Sequence, residues 1–276
     1  MYDHQPFYTD DFMANVLGIE ALPKNLFHYT SIDTLEKILA NRTLRFGRLD
    51  QVNDAEEAQA SDVALASTSV FVSCWSTAAT EQIPLWSIYG GAFHGVRLCM
   101  PSNMFAGRHK PVIYEKGGAR THIDSDLHIV RKSPAMSTTS RSIIGPNKVY
   151  YTDDAAYLRR PLIARGGTTA RHNPYDLGMV KNTKWAYEEE WRFKIAALPF
   201  ETEFPNDEYF NNVTLDLTTC PVETSHLLVP LDPPVVDELI VTTGPLVSLS
   251  EYRRIEVIVA NHAPNATVLK STIMMR

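Results

Sequence analysis

Cysteine is scarce in this sequence, and its spacing excludes the two structural roles that cysteines most often fill. The chain has three cysteines, Cys74, Cys99 and Cys220, and they form no C-x-x-C pair. Widely separated single cysteines supply neither a disulfide framework nor a thiolate zinc site. We therefore expect no bound metal and a reducing compartment.

The sequence also lacks a cationic excess and a long apolar run. Its 26 lysines and arginines face 32 acidic residues, which gives a formal net charge of -6. This balance provides no overall field for non-specific nucleic-acid binding, although a local basic groove is compatible with it. No stretch reaches the roughly 18 apolar residues of a membrane-spanning helix. Because the N-terminus is polar and acidic, unlike a secretory signal, we expect a cytoplasmic protein with no membrane partner.

Several common catalytic motifs are missing as well. The sequence contains no G-x-S-x-G elbow, Walker A loop, G-x-G-x-x-G fingerprint or H-E-x-x-H helix. These absences remove support for the hydrolases, nucleotide triphosphatases, dinucleotide folds and zinc proteases that such motifs indicate. What the chain does have is 276 residues with 44% hydrophobic content, enough to bury a full core.

The order of the apolar patterns predicts an α+β domain. Short strands are indicated at 25–29, 70–75 and 185–196, and a helix at 32–39 whose apolar residues recur at helical spacing. We expect an N-terminal extension over 1–24 and a single catalytic-type domain over 25–276. A loop-rich insertion is expected at about 116–147, where periodicity is lost and Gly, Ser, Thr, Arg and Lys accumulate.

The first candidate site is the histidine of Phe27-His28-Tyr29, at the end of a predicted strand. A histidine there is either a core or capping residue or a ligand contact. Arg45 and Arg48 follow, and their guanidinium groups either bind an anion in bidentate fashion or form surface salt bridges with Asp50 or Glu56.

The second candidate site is the segment Trp185 to Phe193. Strand alternation predicts Glu188, Glu190 and Arg192 on one face. That face is either a solvated charge cluster or, between Trp185 and Trp191, a carboxylate site with aromatic walls. A carboxylate in such a cleft stabilises positive charge that develops on a sugar.

The third candidate site joins a β-branched strand to an aromatic helix. The segments concerned are Phe71 to Ser76 and Trp86 to Gly91. A buried core strand and helix explain the aromatic residues, whereas serine hydroxyls on both sides of Trp75 are less expected there. Cys74 has no sequence signature of a nucleophile.

Together these segments resemble a bacterial family known as the domain of unknown function number 2971, over about residues 25 to 260. The most specific elements are the His-Tyr-Thr opening and the W-x-Y-E-x-E-W-R segment. Ala55 stands where the family usually has proline. The matching residues are Leu26-Phe27-His28-Tyr29-Thr30-Ser31, Thr43-Leu44-Arg45-Phe46, Asn53-Asp54 with the acids after it, Cys74-Trp75-Ser76, Trp86-Ser87-Ile88-Tyr89 and Trp185 through Arg192.

The order of these parts is also similar to that of the ADP-ribosyltransferase superfamily, which implies a split β-sheet core with flanking helices and NAD as a substrate. By this resemblance Glu190 is the catalytic acid, Glu188 orients the incoming nucleophile, and His28 holds a ribose or the nicotinamide amide. The superfamily's Ser-Thr-Ser triplet is not present here. The other implied NAD contacts are Tyr29, Thr30, Arg45, Arg48, Ser73, Ser76 and Tyr89.

The resemblance implies transfer of ADP-ribose to a macromolecular acceptor, either a protein or a nucleic acid. It also suggests a toxin or anti-phage effector, with an antitoxin or immunity protein as a partner. Two alternatives use the same residues: an NAD glycohydrolase, and a non-catalytic module that binds a nucleotide or nucleic acid. The acceptor is set by loops, whose sequences do not encode a partner legibly.

Overall fold

A computed structural model describes residues 10–105, 143–163, 176–196, 222 and 224–275, together with the backbone of the strands within 111–140 and of 164–166, 169–172 and 197–200. The chain forms a mixed α+β structure in which most strand pairs are antiparallel. The expected N-terminal extension falls partly outside the described residues, and helix α1 (Asp10–Asn15) lies within it. No helix in the described part of the chain is long and apolar enough to cross a bilayer.

The remaining helices are α2 (Ile32–Asn41), α3 (Ile83–Ile88), α4 (Ala155–Leu158), α5 (Pro233–Asp237) and α6 (Leu249–His262). Short 3-10 helices occur at Leu49–Gln51, Ala66–Ser69 and Thr183–Glu188. The strands are β1 (Asn25–Thr30), β2 (Thr43–Arg48), β3 (Val70–Ser76), β4 (Val96–Pro101), β5 (Pro111–Lys116), β6 (Ala119–Asp124), β7 (Arg131–Ser133), β8 (Met136–Ser140), β9 (Ile144–Lys148), β10 (Tyr150–Tyr151), β11 (Ile163–Gly166), β12 (Thr169–His172), β13 (Val180–Lys181), β14 (Glu190–Phe200), β15 (His226–Pro230), β16 (Ile240–Thr243) and β17 (Thr267–Lys270).

The main sheet is organised around β3. Its strand order is β17-β16-β4-β1-β3-β14-β8-β7, and β9 also pairs with β14. Along its whole length β3 pairs with β14, from Val70 opposite Ala196 to Ser76 opposite Glu190. Strand β1 pairs with β3 only at Ser76, whereas β2, which carries β15, pairs with β3 near its start. The sheet therefore branches at β3.

Helix α2 follows from its own sequence. The Ser31 side chain caps it by accepting a hydrogen bond from the Thr34 backbone N–H at 3.2 Å, as the Thr-Ser-x-Asp pattern predicts. The apolar stripe Ile32, Leu35, Ile38 and Leu39 is buried in the main core. Helix α6 packs into the same core through Ile255, Ile258 and Val259. The predicted helix is confirmed.

Alternation along β3 and β14 gives the sheet two faces of different character. One face, here called the core face, packs against α2 and α6 in the main core. The opposite face, here called the cluster face, carries the charged residues of β14. The core face contains Phe71, Trp75, Trp191, Phe193 and Ile195, and the cluster face contains Val70, Val72, Cys74, Glu190, Arg192 and Lys194.

The predicted strand over 185–196 is correct only from Glu190 onward. Residues Thr183–Glu188 form a 3-10 helix instead, which the Asn182 side chain caps by accepting from the Lys184 backbone N–H at 3.1 Å. Glu189 then adopts a left-handed backbone conformation with φ 46. A capped turn forms its backbone hydrogen bonds locally. Pairing with a neighbouring strand therefore begins only at Glu190.

The expected insertion at 116–147 lies partly outside the described residues. Its described residues form the strands β6 to β8 and most of β9, and β9 pairs with β14 between Trp191 and Lys194. The single-domain layout over 25–276 stays a prediction.

Candidate functional site

Five charged side chains come together on the cluster face, almost completely buried. They are Glu57, Lys181, Glu188, Glu190 and Arg192, and none of their side chains is more than 5% exposed. Arg192 holds Glu190 in two hydrogen bonds, from Nε to Oε1 at 2.6 Å and from Nη2 to Oε2 at 2.9 Å. The same Nη2 donates to Glu57 Oε2 at 2.9 Å. We call this group the charge cluster.

Lys181 completes the cluster from the other side. Its Nζ donates to Glu188 Oε2 at 2.5 Å and to Glu190 Oε2 at 3.3 Å, and it lies 3.7 Å from Glu57 Oε2. Lys181 and Arg192 thus bridge all three carboxylates. Such bridging is what buried charges require, because each one left unpaired would lose its hydration without compensation.

Four separate parts of the chain supply the cluster. Glu190 and Arg192 alternate on β14, Glu188 ends the 3-10 helix before it, and Lys181 lies on the two-residue strand β13. Glu57 comes from the loop after β2, 135 positions before Arg192. Arg192 Nη1 also donates to the Gly178 carbonyl at 2.7 Å, which fixes the segment before β13 against the cluster.

The cluster holds three carboxylates against two cations. Burial would raise the pKa of Glu190, but Arg192 and Lys181 overcome it and lower that pKa to about 2. Burial raises the pKa of Glu57 and of Glu188, and the nearby charge of Glu190 raises both further. Glu57 Oε1 is buried with no hydrogen-bond partner among the described residues. The cluster is therefore either one unit negative or holds one shared proton.

Glu188 is the carboxylate of the cluster that contacts a partly exposed side chain. The Tyr89 hydroxyl, at the C-terminal end of α3, donates to Glu188 Oε1 at 2.7 Å. Tyr187 beside it is 36% exposed, and the partly exposed Trp185 ring lies 4.6 Å from Lys181 Nζ. The exposed Asn53 side chain lies near the Tyr89 hydroxyl. Aromatic and amide groups thus lie on the side of the cluster that Glu188 occupies.

The structure brings Glu188, Glu190 and Arg192 together, as expected, but Trp191 does not form a wall beside them. Trp191 points to the core face, where it is 4% exposed within the main core. Alternation explains this placement, because neighbouring residues of a strand point to opposite faces and Glu190 occupies the cluster face. Of the two tryptophans only Trp185 lies beside the cluster.

His28 is not part of the charge cluster. Phe27 lies opposite Ser76, which lies opposite Glu190, so Phe27 shares the cluster face and His28 points to the core face. There the His28 ring packs against Trp75, with ring centroids 5.1 Å apart, and Nδ1 donates to the Cys74 carbonyl at 2.9 Å. Burial lowers the pKa of His28, which favours the neutral ring. The sheet therefore separates His28 from the glutamates.

The two arginines that were candidates for binding an anion, Arg45 and Arg48, also lie apart from the cluster. Arg45 is exposed on β2. Arg48 donates to both Asp50 oxygens, at 2.7 and 3.0 Å, and to the Val222 carbonyl at 2.5 Å. Of the two roles that the sequence allowed for Arg48, the structure shows the salt bridge to Asp50.

The remaining expected contacts have structural partners of their own. The Tyr29 hydroxyl accepts from the Gln82 backbone N–H at 3.0 Å, and Thr30 is buried at the end of β1. Ser73 accepts from the Trp75 ring N–H at 2.9 Å on the core face. Ser76 accepts from the Ala78 backbone N–H at 3.2 Å and lies directly opposite Glu190. Among these, Ser76 and Tyr89 flank the cluster.

Sequence reasoning missed Glu57 and Lys181. Glu57 belongs to the acids that follow Asn53-Asp54, so the family pattern contained a signal for it. No sequence signal marked Lys181, because β13 is two residues long and pairs, among the described strands, with β10 alone. Tyr151 on β10 was also missed, and its hydroxyl accepts from the Glu190 backbone N–H at 2.9 Å.

The described residues contain no group of three or more His, Cys, Asp or Glu side chains placed to hold a metal ion. Burial, together with the nearby charge of Glu190, raises the pKa of Cys74 well above its usual value, so its thiol is not an activated nucleophile. Among the groups of the charge cluster, the carboxylates are the ones that can stabilise a positive charge. Comparison with known proteins found no protein-family model, no curated protein and no solved structure that matches this chain.

Proposed function

We propose that this protein transfers ADP-ribose from NAD to a macromolecular acceptor, with Glu188 and Glu190 as the residues that stabilise the reacting ribose. One observation carries the proposal: the buried charge cluster contains one carboxylate more than it has cations, and one of these carboxylates, Glu188, contacts the partly exposed Tyr89. An excess of carboxylates over cations in a place shielded from water stabilises positive charge that forms on a ribose as its base departs.

The hydrogen bonds of Glu188 and Glu190 indicate different roles for the two residues in the reaction. Both oxygens of Glu190 accept from Arg192, so Glu190 supplies a fixed charge below the reacting group. Glu188 accepts hydrogen bonds from the partly exposed Tyr89 and from Lys181, and we assign it the direct contact with the ribose. This assignment gives Glu188 the ribose contact that the superfamily resemblance implies for Glu190.

The reaction needs no other reactant than the acceptor. The bond between ribose C1′ and the nicotinamide nitrogen breaks, and its electron pair leaves with neutral nicotinamide. A lone pair of the acceptor forms the new bond to C1′, and the acceptor releases its proton. Because the pKa of Glu188 is raised, that carboxylate is suited to receive the proton.

Nicotinamide release from NAD by the purified protein tests the proposal, in the presence and absence of cell extract as a source of acceptors. Labelled NAD and mass spectrometry then identify the modified molecule. Glu188→Gln should lower nicotinamide release by about two to three orders of magnitude, as loss of one electrostatic stabiliser does. Glu189→Gln is the matched control, because Glu189 is exposed beside the cluster and should leave turnover unchanged.

The same experiment separates the alternatives. Nicotinamide release that does not depend on extract identifies an NAD glycohydrolase. Binding of NAD with no release under any condition identifies a non-catalytic module. Unchanged release by a folded Glu188→Gln variant would remove Glu188 from the chemistry.

A further inference from the structure

Another charged side chain, Arg97, is also buried on the cluster face and lies outside the charge cluster. Arg97 on β4 lies opposite Tyr29 and is 9% exposed. The centre of its guanidinium group is 4.5 Å from the centroid of the Phe27 ring and 5.9 Å from that of Tyr29. Nη1 donates to the Ala79 carbonyl at 3.0 Å. Aromatic rings and backbone therefore enclose a permanent positive charge.

Arg97 lacks an anionic partner in the part of the chain that the structure describes. Its Nε–H is buried and has no acceptor there, and no carboxylate there forms an ion pair with it. Arg48 and Arg192, in contrast, each donate to a carboxylate. An unpaired buried N–H costs free energy that an incoming oxygen would recover.

Arg97 lies on the same face of the sheet as the charge cluster. Its guanidinium lies over Phe27 on β1, Phe27 is opposite Ser76 on β3, and Ser76 is opposite Glu190 on β14. Two strand spacings separate Phe27 from Glu190, about 10 Å. One face of the sheet thus carries a cation at one end and an excess of carboxylates at the other.

We propose that Arg97 binds the phosphate groups of a nucleotide whose ribose reaches Glu188, an inference that rests on the proposed function. The charges favour this orientation, because NAD carries its phosphates on one side of the nicotinamide ribose and develops positive charge on that ribose. A guanidinium is suited to phosphate, since it is planar, weakly hydrated and able to donate two parallel hydrogen bonds. Arg97 thereby takes the role that the sequence suggested for Arg45 and Arg48.

Binding measurements on the whole protein test this inference. Four probes are compared by calorimetry: NAD, ADP-ribose, inorganic pyrophosphate and nicotinamide riboside, which has no phosphate. Arg97→Gln should weaken NAD and ADP-ribose at least about tenfold, because it removes a charge-assisted bond to phosphate. Its affinity for nicotinamide riboside should stay within about twofold of wild type. Arg45→Gln is the matched control and should bind all four probes like wild type.

The outcomes separate the inference from the proposed function. Equal NAD affinity in wild type and Arg97→Gln overturns the inference and leaves the proposed function standing. Arg97-dependent binding of pyrophosphate without any binding of NAD or ADP-ribose supports the anion site and overturns the proposed function. Failure of all four probes to bind wild type overturns both.

A conservative variant guards against a folding defect. Arg97→Lys keeps the charge but loses the paired donors, so it should weaken ADP-ribose less than Arg97→Gln does while leaving nicotinamide riboside unchanged. If Arg97→Gln does not fold, Arg97→Lys is compared with wild type instead. Wild-type affinity of Arg97→Lys for both NAD and ADP-ribose would then count against the inference. An arginine with only a structural role would change all ligands alike.

Discussion

At the scale of single residues, Glu190 and Arg192 depend on each other. Two hydrogen bonds join them in a place that water does not reach. The net contribution of such a pair to folding is modest, since each charge gave up its hydration. Removing one partner is costly, however, because the other charge then stays buried without compensation.

We therefore predict that Glu190→Gln lowers the free energy of unfolding by about 3 kcal/mol or more, because Arg192 loses the charge it pairs with. Urea denaturation followed by circular dichroism measures the change. The exposed neighbour Glu189→Gln should alter stability by less than about 0.5 kcal/mol. Equal stability of the two variants would show that Arg192 finds another counter-charge.

Lys194 makes stability depend on pH. It is buried on β14, and this burial lowers its pKa to about 7 from a usual value of 10.5, while Asp176 opposes the shift. Between these two values the unfolded chain binds a proton that the folded chain does not, so stability rises as pH increases above about 7. Below pH 7 the folded protein carries the full cost of the buried charge.

The predicted result is a free energy of unfolding that increases from pH 7 to pH 9, and a flatter profile in Lys194→Met. Chemical denaturation at each pH provides the measurement. Lys184→Met, at an exposed position, should retain the wild-type slope. A slope unchanged in Lys194→Met would mean that another group titrates in this window.

At the scale of elements, the site depends on where β14 begins. The capped 3-10 helix and the left-handed Glu189 bring Glu188 to the cluster by a different route from strand alternation. On the opposite side, α3 delivers Tyr89 to the same carboxylate. The position of α3 is therefore part of the site.

A carboxylate just before α3 connects this helix to the C-terminal segment. Glu81 accepts from the Trp86 ring N–H at 3.0 Å, from the Ser271 hydroxyl at 2.6 Å and from the Thr272 backbone N–H at 2.8 Å. Burial would raise the pKa of Glu81, but these hydrogen bonds lower it. Ile273 packs against the small core that contains Tyr29 and Trp86.

Glu81→Ala should release this segment and lower stability by about 1 to 3 kcal/mol, because several donors lose a charged acceptor. Faster removal of the C-terminal residues by carboxypeptidase, together with a lower melting temperature, would be the result. Glu256→Ala on the exposed side of α6 is the control and should change neither. Identical digestion of both variants would show that other contacts hold the segment.

At the scale of the whole molecule, the branch at β3 determines what the two faces can do. Helices α2 and α6 fill the core face, and His28 lies within that layer. The cluster face carries smaller apolar clusters around buried charges, which leaves Arg97, Phe27 and the charge cluster on one side of the sheet. A ligand that spans these groups would contact four strands at once.

Such a ligand would bind the folded chain and not the unfolded chain. ADP-ribose should therefore raise the melting temperature. At a concentration one hundred times its Kd the gain in stability is about 2.7 kcal/mol. Thermal unfolding with increasing ADP-ribose tests this, with sodium chloride of equal ionic strength as the control for screening. No shift with ADP-ribose or NAD at millimolar concentration would argue against a nicotinamide-nucleotide site.

The sequence by itself determined the elements whose signals are local. The capping serine and apolar stripe of α2, and the β-branched run of β3, lie within a few residues of one another and can be recognised without knowing the fold. The acids of the Trp185 to Arg192 segment were likewise recognisable as a polar face. Local patterns therefore predicted the region of the site.

Only the tertiary structure decided which groups meet there. Lys181 contacts Glu190 from 9 residues away along the chain, Glu57 contacts Arg192 from 135 residues away, and no local pattern encodes such pairings. The face on which His28 lies was set by the register of β1 against β3, since one residue of shift exchanges the two faces of a strand. The separation of His28 from the glutamates, and the placement of Arg97 on the same face as the glutamates, are consequences of strand pairing rather than of sequence pattern.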